Sequence, residues 1–338
     1  MGPRTTPATN PANSLSIDTN MKCSTEFWDP NGNIIILARG SVFCISEERL
    51  GQQSMLFSRL FMIPRWQDVA DKLADRPVIH LPDSPCELHL LFRMVFDTSL
   101  SLMRHSGSSE SSSSPKFSDI AAVVRLAAKY EMTTICNKAL AKLTSFCSVT
   151  FLDWENLEDY VAQASFGFEL RDAITLVSIA RITGVSAMLP LAFYMCSQLG
   201  DEMTDGFVRD GHKEELSMDD RIMCVSGKEL LAKASKVAHL RIFCGNDVKT
   251  GRLFSCCKQA HSEALRQTLS PFNAGAQDEL TNALDPQLDR IKNLHDFCPT
   301  CYETIREREL EGRRKLWEEL PSFFGLGQED WPTDCRNL

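Results

Sequence analysis

The chain has 338 residues, of which 43% are hydrophobic and 24% charged, and its formal charge is −9. That length suits two domains, the composition excludes a disordered chain, and an acidic balance without a Lys/Arg cluster excludes nucleic acid as a direct ligand. The most apolar region is interrupted by Arg181 and Pro190, so no membrane span is expected, and thirteen cysteines without a secretory signal point to a reducing compartment, cytoplasmic or nuclear.

Residues 1–27 lack an apolar core and read as a disordered tail. "NIIILA" and "SVFCI" follow as two short apolar strands joined at Arg39-Gly40, a dipeptide that suits a tight hairpin. A single helix is expected from Glu47 to Phe61, capped by Ser46 and with Glu47 and Glu48 in the favoured acidic first turn. At about 100° per residue, Leu50, Phe57, Leu60 and Phe61 share an inward arc, while Met55 falls on the other side with Glu48, Gln52 and Arg59. "RPVIHLP" reads as a third strand, and "SPCELHLLFRMVFDT" as a helix with Ser84 as cap and Pro85 at the first helical position.

The serine tract within 104–115 cannot bury apolar area and reads as a flexible loop. Helix resumes in "FSDIAAVVRLAAKYEM", with Ser118 expected as its cap, and again in "TTICNKALAKLTSFC". From about Cys147 the chain is dominated by strong helix formers and helical spacing, so 149–338 is expected to be an all-helical domain.

This order of elements is similar to that of a BTB/POZ domain. The matching residues are Phe43, Ile45, Leu50, Ser54, Phe57, Leu81, Asp83, Leu91, Phe96, Leu126, Lys129 and Tyr130, and the match covers 28–148. The chain further resembles the BTB-domain proteins expanded in mushroom-forming fungi, through "LPLAFYMC", a cysteine pair and the ending "WEELPSFFGL". Two positions depart from the family pattern: Ser46-Glu47 stands where a histidine or basic residue is usual, and the serine loop lengthens one connection.

The resemblance implies an α+β fold, a BTB/POZ domain followed by an all-α domain, and a non-enzymatic function in protein–protein interaction. The expected partners are a second copy of the chain, as a homodimer, and other proteins. A cullin-type ubiquitin ligase, served as substrate adaptor, and a transcription complex, served as co-regulator, are the competing destinations. Gln52 and Met55 are the residues expected at or beside a two-fold interface, since the family self-associates through its first helix and methionine adapts to interfaces.

Signatures of catalysis are missing from the sequence: it holds no G-x-S-x-G elbow, H-E-x-x-H, Walker loop or G-x-G-x-x-G. One constellation has metal chemistry. "CPTC" supplies Cys298 and Cys301, and "CCKQAH" supplies Cys256, Cys257 and His261. Cys257, His261, Cys298 and Cys301 form the candidate tetrahedral set for a structural zinc, with Cys256 and His295 as substitutes; two buried thiols without metal are the alternative. The aromatic-rich "RRKLWEELPSFFGL" is expected to fold back onto the helical domain's own core, the other reading being a peptide offered to a partner groove.

Overall fold

The computed structural model describes residues 21–96, 116–147, 150–155, 167–209, 212–243, 256–273, 283–286, 288, 294–328 and 331. The serine tract lies outside them, as do 1–20 and 156–166. The protein has mixed α and β structure and divides into two compact units, Met1–Leu143 and Thr144–Leu338.

The first unit is built on a five-stranded sheet of order β1-β3-β2-β5-β4. Its strands are β1 (Lys22–Trp28), β2 (Ile34–Ala38), β3 (Ser41–Ile45), β4 (Lys72–Leu73) and β5 (Arg76–Leu81). β2 and β3 pair antiparallel through Arg39 and Gly40, whose φ values of 44° and 85° are the positive pair that a two-residue hairpin needs to follow the strand twist. β5 adds parallel to β2 and β1 parallel to β3, so β2 and β3 are central and mostly buried. β1 corrects the expectation of a tail to residue 27: Lys22–Trp28 is a strand, with Ser24 and Phe27 turned inward.

The expected single helix from Glu47 to Phe61 is two. α1 (Glu47–Gln53) is capped by Ser46, and α2 (Met55–Phe61) begins after Ser54, which is extended at φ −124° and ψ 119°. The Ser54 hydroxyl accepts from the Phe57 N–H at 3.1 Å, so a second N-cap interrupts the run. Leu50 and Phe57 are buried as expected, but from separate helices.

After α3 (Trp66–Val69), β4 and β5, α4 (Pro85–Phe96) lays Leu88, Leu91 and Phe92 on the sheet, where Phe92 meets Phe43 edge to face at 5.3 Å. α5 (Phe117–Lys129) starts one residue before Ser118, so its cap is Lys116, and Phe117 enters the core. α6 (Thr133–Cys147) completes the series. Asp83 accepts from Lys129 Nζ at 2.6 Å and from the Tyr130 hydroxyl; burial and that carboxylate push the phenol's pKa up.

In the second unit, α7 (Phe151–Glu155), α8 (Asp172–Thr183), α9 (Leu189–Ser197) and α10 (Glu202–Asp205) precede a small hairpin of β6 (Phe207–Arg209) and β7 (His212–Glu214), which corrects the expectation of an all-helical domain. Every residue of α9 is buried, which explains why "LPLAFYMC" shows no polar face. Two long helices, α11 (Met218–Phe243) and α13 (Pro299–Glu318), pack together, with α12 (Lys258–Asn273) beside them. α14 (Leu320–Phe323) ends the helical order.

The aromatic ending folds inward, as expected: Trp317, Leu320, Phe324 and Trp331 are buried. The Trp331 indole N–H donates to the Trp317 carbonyl at 2.8 Å, and Phe324 packs on Phe193. Beneath this layer Arg313 is buried and held by both Glu309 and Glu155, a charge enclosed because two carboxylates and the Leu284 carbonyl surround it. Among the described residues no helix is long and apolar enough to cross a membrane.

Candidate metal centre

The site forms where two helices begin. Cys256 and Cys257 lie in the turn that leads into α12; Cys298 caps α13, with Pro299 at the first helical position and Cys301 in the first turn. A C-x-x-C placed this way puts both sulfurs on the same side of the helix start, near backbone N–H groups that favour thiolate.

The four sulfurs of Cys256, Cys257, Cys298 and Cys301 all lie within 4.8 Å of one another. Cys256 Sγ is 3.3 Å from Cys301 Sγ, 3.6 Å from Cys298 Sγ and 3.8 Å from Cys257 Sγ. Zinc–sulfur bonds of about 2.3 Å at tetrahedral angles set ligand sulfurs about 3.8 Å apart, so the spacing fits one metal ion. The Cys298 N–H donates to Cys257 Sγ at 3.2 Å, an orienting bond of the kind that surrounds metal ligands.

The expected ligand set is therefore corrected at one place: Cys256, named only as a substitute, joins the cluster, and His261 does not. His261 sits one turn into α12, and its Nε2–H donates to the Phe243 carbonyl at 2.8 Å, which commits that nitrogen elsewhere. His295 is exposed, 3.3 Å from Asp296, and is no part of the sulfur cluster.

The thiols differ in environment. The Cys301 backbone N–H first, then the thiols of Cys301, Cys256 and Cys257, bring Cys298 down to about 7, whereas burial pushes Cys301 up. Cys301 belongs to a small core of Ile242, Phe243, Ala260, Ala264, Leu288, Phe297 and Ile305, with Cys257 and Cys298 packed at its margin. A metal here would tie the starts of α12 and α13 over that core.

The residues expected at a two-fold interface are both exposed. Gln52 is at the end of α1, where its amide donates to Glu48 at 3.2 Å, and Met55 opens α2. The break at Ser54 means they do not share one continuous helix face.

No protein-family model matches the chain, and no curated protein matches it.

Proposed function

We propose that the protein is a non-enzymatic interaction protein: its first unit is a BTB/POZ-like module that self-associates, and its second unit is a helical domain stapled by a structural zinc. Support for the module comes from the order of elements in the first unit: after β1, a strand hairpin, three short helices, β4 and β5 and then helices, where the resemblance implied a hairpin, one helix, a third strand and then helices.

The observation that carries the reading is where apolar surface is left uncovered. Among the described residues of the first unit, the exposed large hydrophobic side chains are Met55 (62% exposed), Met62 (76%), Ile63 (54%) and Val69 (87%), all within α2, α3 and the turn between. Scattered exposed apolar residues are ordinary; four within one short stretch, and none elsewhere among the described residues of this unit, fit a docking surface. Arg59, Arg65 and Asp68 are exposed in the same stretch, so it carries both signs of charge and can face its own copy across a two-fold axis.

Full burial of a Met, Ile or Val side chain is worth about 1.5–3 kcal/mol, so four per copy, eight across the two-fold axis, give a gross gain on the order of 10–20 kcal/mol, against about 4–15 kcal/mol for lost translational and rotational freedom. That balance fits a micromolar self-association better than a permanent dimer. Sedimentation equilibrium between about 1 and 100 μM is the test: concentration-dependent dimer supports the reading, and a monomer throughout that Met62→Asp leaves unchanged removes it.

Zinc is proposed for the second unit because four thiolates at tetrahedral spacing close the coordination shell with protein alone, which is the structural rather than catalytic arrangement. Metal analysis of protein purified under reducing conditions should find one zinc per chain; its absence would remove this part.

A further inference from the structure

Two of the four cysteines line an opening and two do not. A surface recess is lined by Cys256, Cys257, Lys258, Ser262, Arg266 and Asp296, while Cys298 and Cys301 lie outside its lining. Cys256 is the exposed cysteine of the four; Cys257 and Cys298 are half-buried and Cys301 is buried. Cys256 also has all three other sulfurs within 3.8 Å. The most exposed cysteine of the four thus has each of the other three sulfurs within reach of a disulfide.

We propose that Cys256 is an oxidative modification site, at which a small peroxide converts the metal centre into a disulfide and releases its zinc. This rests on the zinc reading given above. The Cys256 thiolate attacks one oxygen of hydrogen peroxide, the O–O bond breaks, and Cys256 becomes a sulfenic acid as hydroxide leaves; the sulfur loses two electrons and the peroxide gains them. The Cys301 thiolate, the nearest sulfur, then attacks Cys256, forming the S–S bond and breaking the S–O bond, with a second hydroxide leaving. Two protons from solvent complete the two waters. Zinc left with only Cys257 and Cys298 has lost half its ligands and dissociates.

The oxidised form differs from simple metal loss. A Cys256–Cys301 bridge joins the turn before α12 to the first turn of α13, so the two helix starts stay tied when the ion is gone. Thiol reduction in the presence of zinc restores the original site, since sulfenic acid and disulfide are the reversible steps of cysteine oxidation.

The test uses the full chain. Zinc content is measured first, before any oxidant; hydrogen peroxide is then added with a chromophoric zinc chelator, and early disulfides are mapped by peptide mass spectrometry. The expected results are zinc release with Cys256–Cys301 as the first bridge, and at least about tenfold slower release in Cys256→His, which keeps a fourth ligand and removes the exposed sulfur. Zinc that is bound but released equally fast from Cys256→His, or a first bridge that omits Cys256, overturns the inference and leaves the zinc reading standing. Should Cys256→His fail to hold zinc, the bridge map of the unmodified chain decides. Absence of zinc from the reduced protein overturns both, and is told apart because it is read before peroxide is added.

Discussion

The Ser54 hydroxyl donates to the backbone carbonyl of Tyr130, far away in sequence, while accepting from the N–H of Phe57 in its own helix. One buried side chain therefore starts α2 and fastens it to the end of α5. Ser54→Ala removes the cap and leaves a buried carbonyl without its partner. The expected loss is about 2–3 kcal/mol, read as a lower urea midpoint at unchanged slope. A loss below about 0.5 kcal/mol would mean that water replaces the hydroxyl at both ends.

Gly227 lies under Phe324. A Cβ at position 227 would stand 2.1 Å from the Phe324 ring, and the ring is fixed by burial against Phe193. Gly227→Ala should therefore destabilise the second unit by about 1–3 kcal/mol despite alanine's better helix propensity. Adding Phe324→Leu should recover part of that loss. A neutral or stabilising single substitution would show that the aromatic ending does not close this core.

Glu26 on β1 and Arg93 on α4 form a two-pronged ion pair at 2.7 and 2.8 Å. The hydrogen bond from Arg93 holds the Glu26 carboxyl below its ordinary value, burial opposing. A carboxyl lowered on folding stabilises the protein above its unfolded pKa, about 4.3, and that contribution is lost as pH falls through the folded value. Arg93→Gln should flatten this part of the acid limb while costing no more than about 1 kcal/mol at pH 7, because the pair is partly solvated. An unchanged acid limb in chemical unfolding would contradict the assignment.

Chelation tests the staple in the second unit. Removing a structural ion that ties two helix starts should lower its melting temperature by on the order of 10 °C, since about 1 kcal/mol corresponds to roughly 2–4 °C at this size. A shift under about 2 °C would show that the small core holds without metal.

The hairpin, the helix cap at Ser46 and the cysteine cluster were legible because each rests on local signals: turn chemistry, a side-chain cap, and the spacing of thiols. β1 was not, since only Ser24 and Phe27 of Lys22–Trp28 are buried and its partner, β3, lies across a long separation in parallel register. The break at Ser54 was hidden by an apolar pattern that fits one helix almost as well as two; the overlooked signal was a serine three residues ahead of Phe57, inside the run. At the metal centre, Cys257 and His261 have the spacing of neighbours on a helix, but α12 starts only at Lys258. The turn before it swings Cys256 to the other sulfurs and leaves His261 facing the Phe243 carbonyl.

The most direct measurement of the central claim is hydrogen–deuterium exchange on the full chain at about 1 μM and about 100 μM, concentrations that bracket a micromolar self-association. Amides from Met55 to Val69 should gain protection at the higher concentration, those of Lys22–Trp28 should not, and Met62→Asp should abolish the gain while leaving core protection intact. Equal protection of 55–69 at both concentrations, or a concentration-dependent gain confined to other segments, would contradict self-association through this surface.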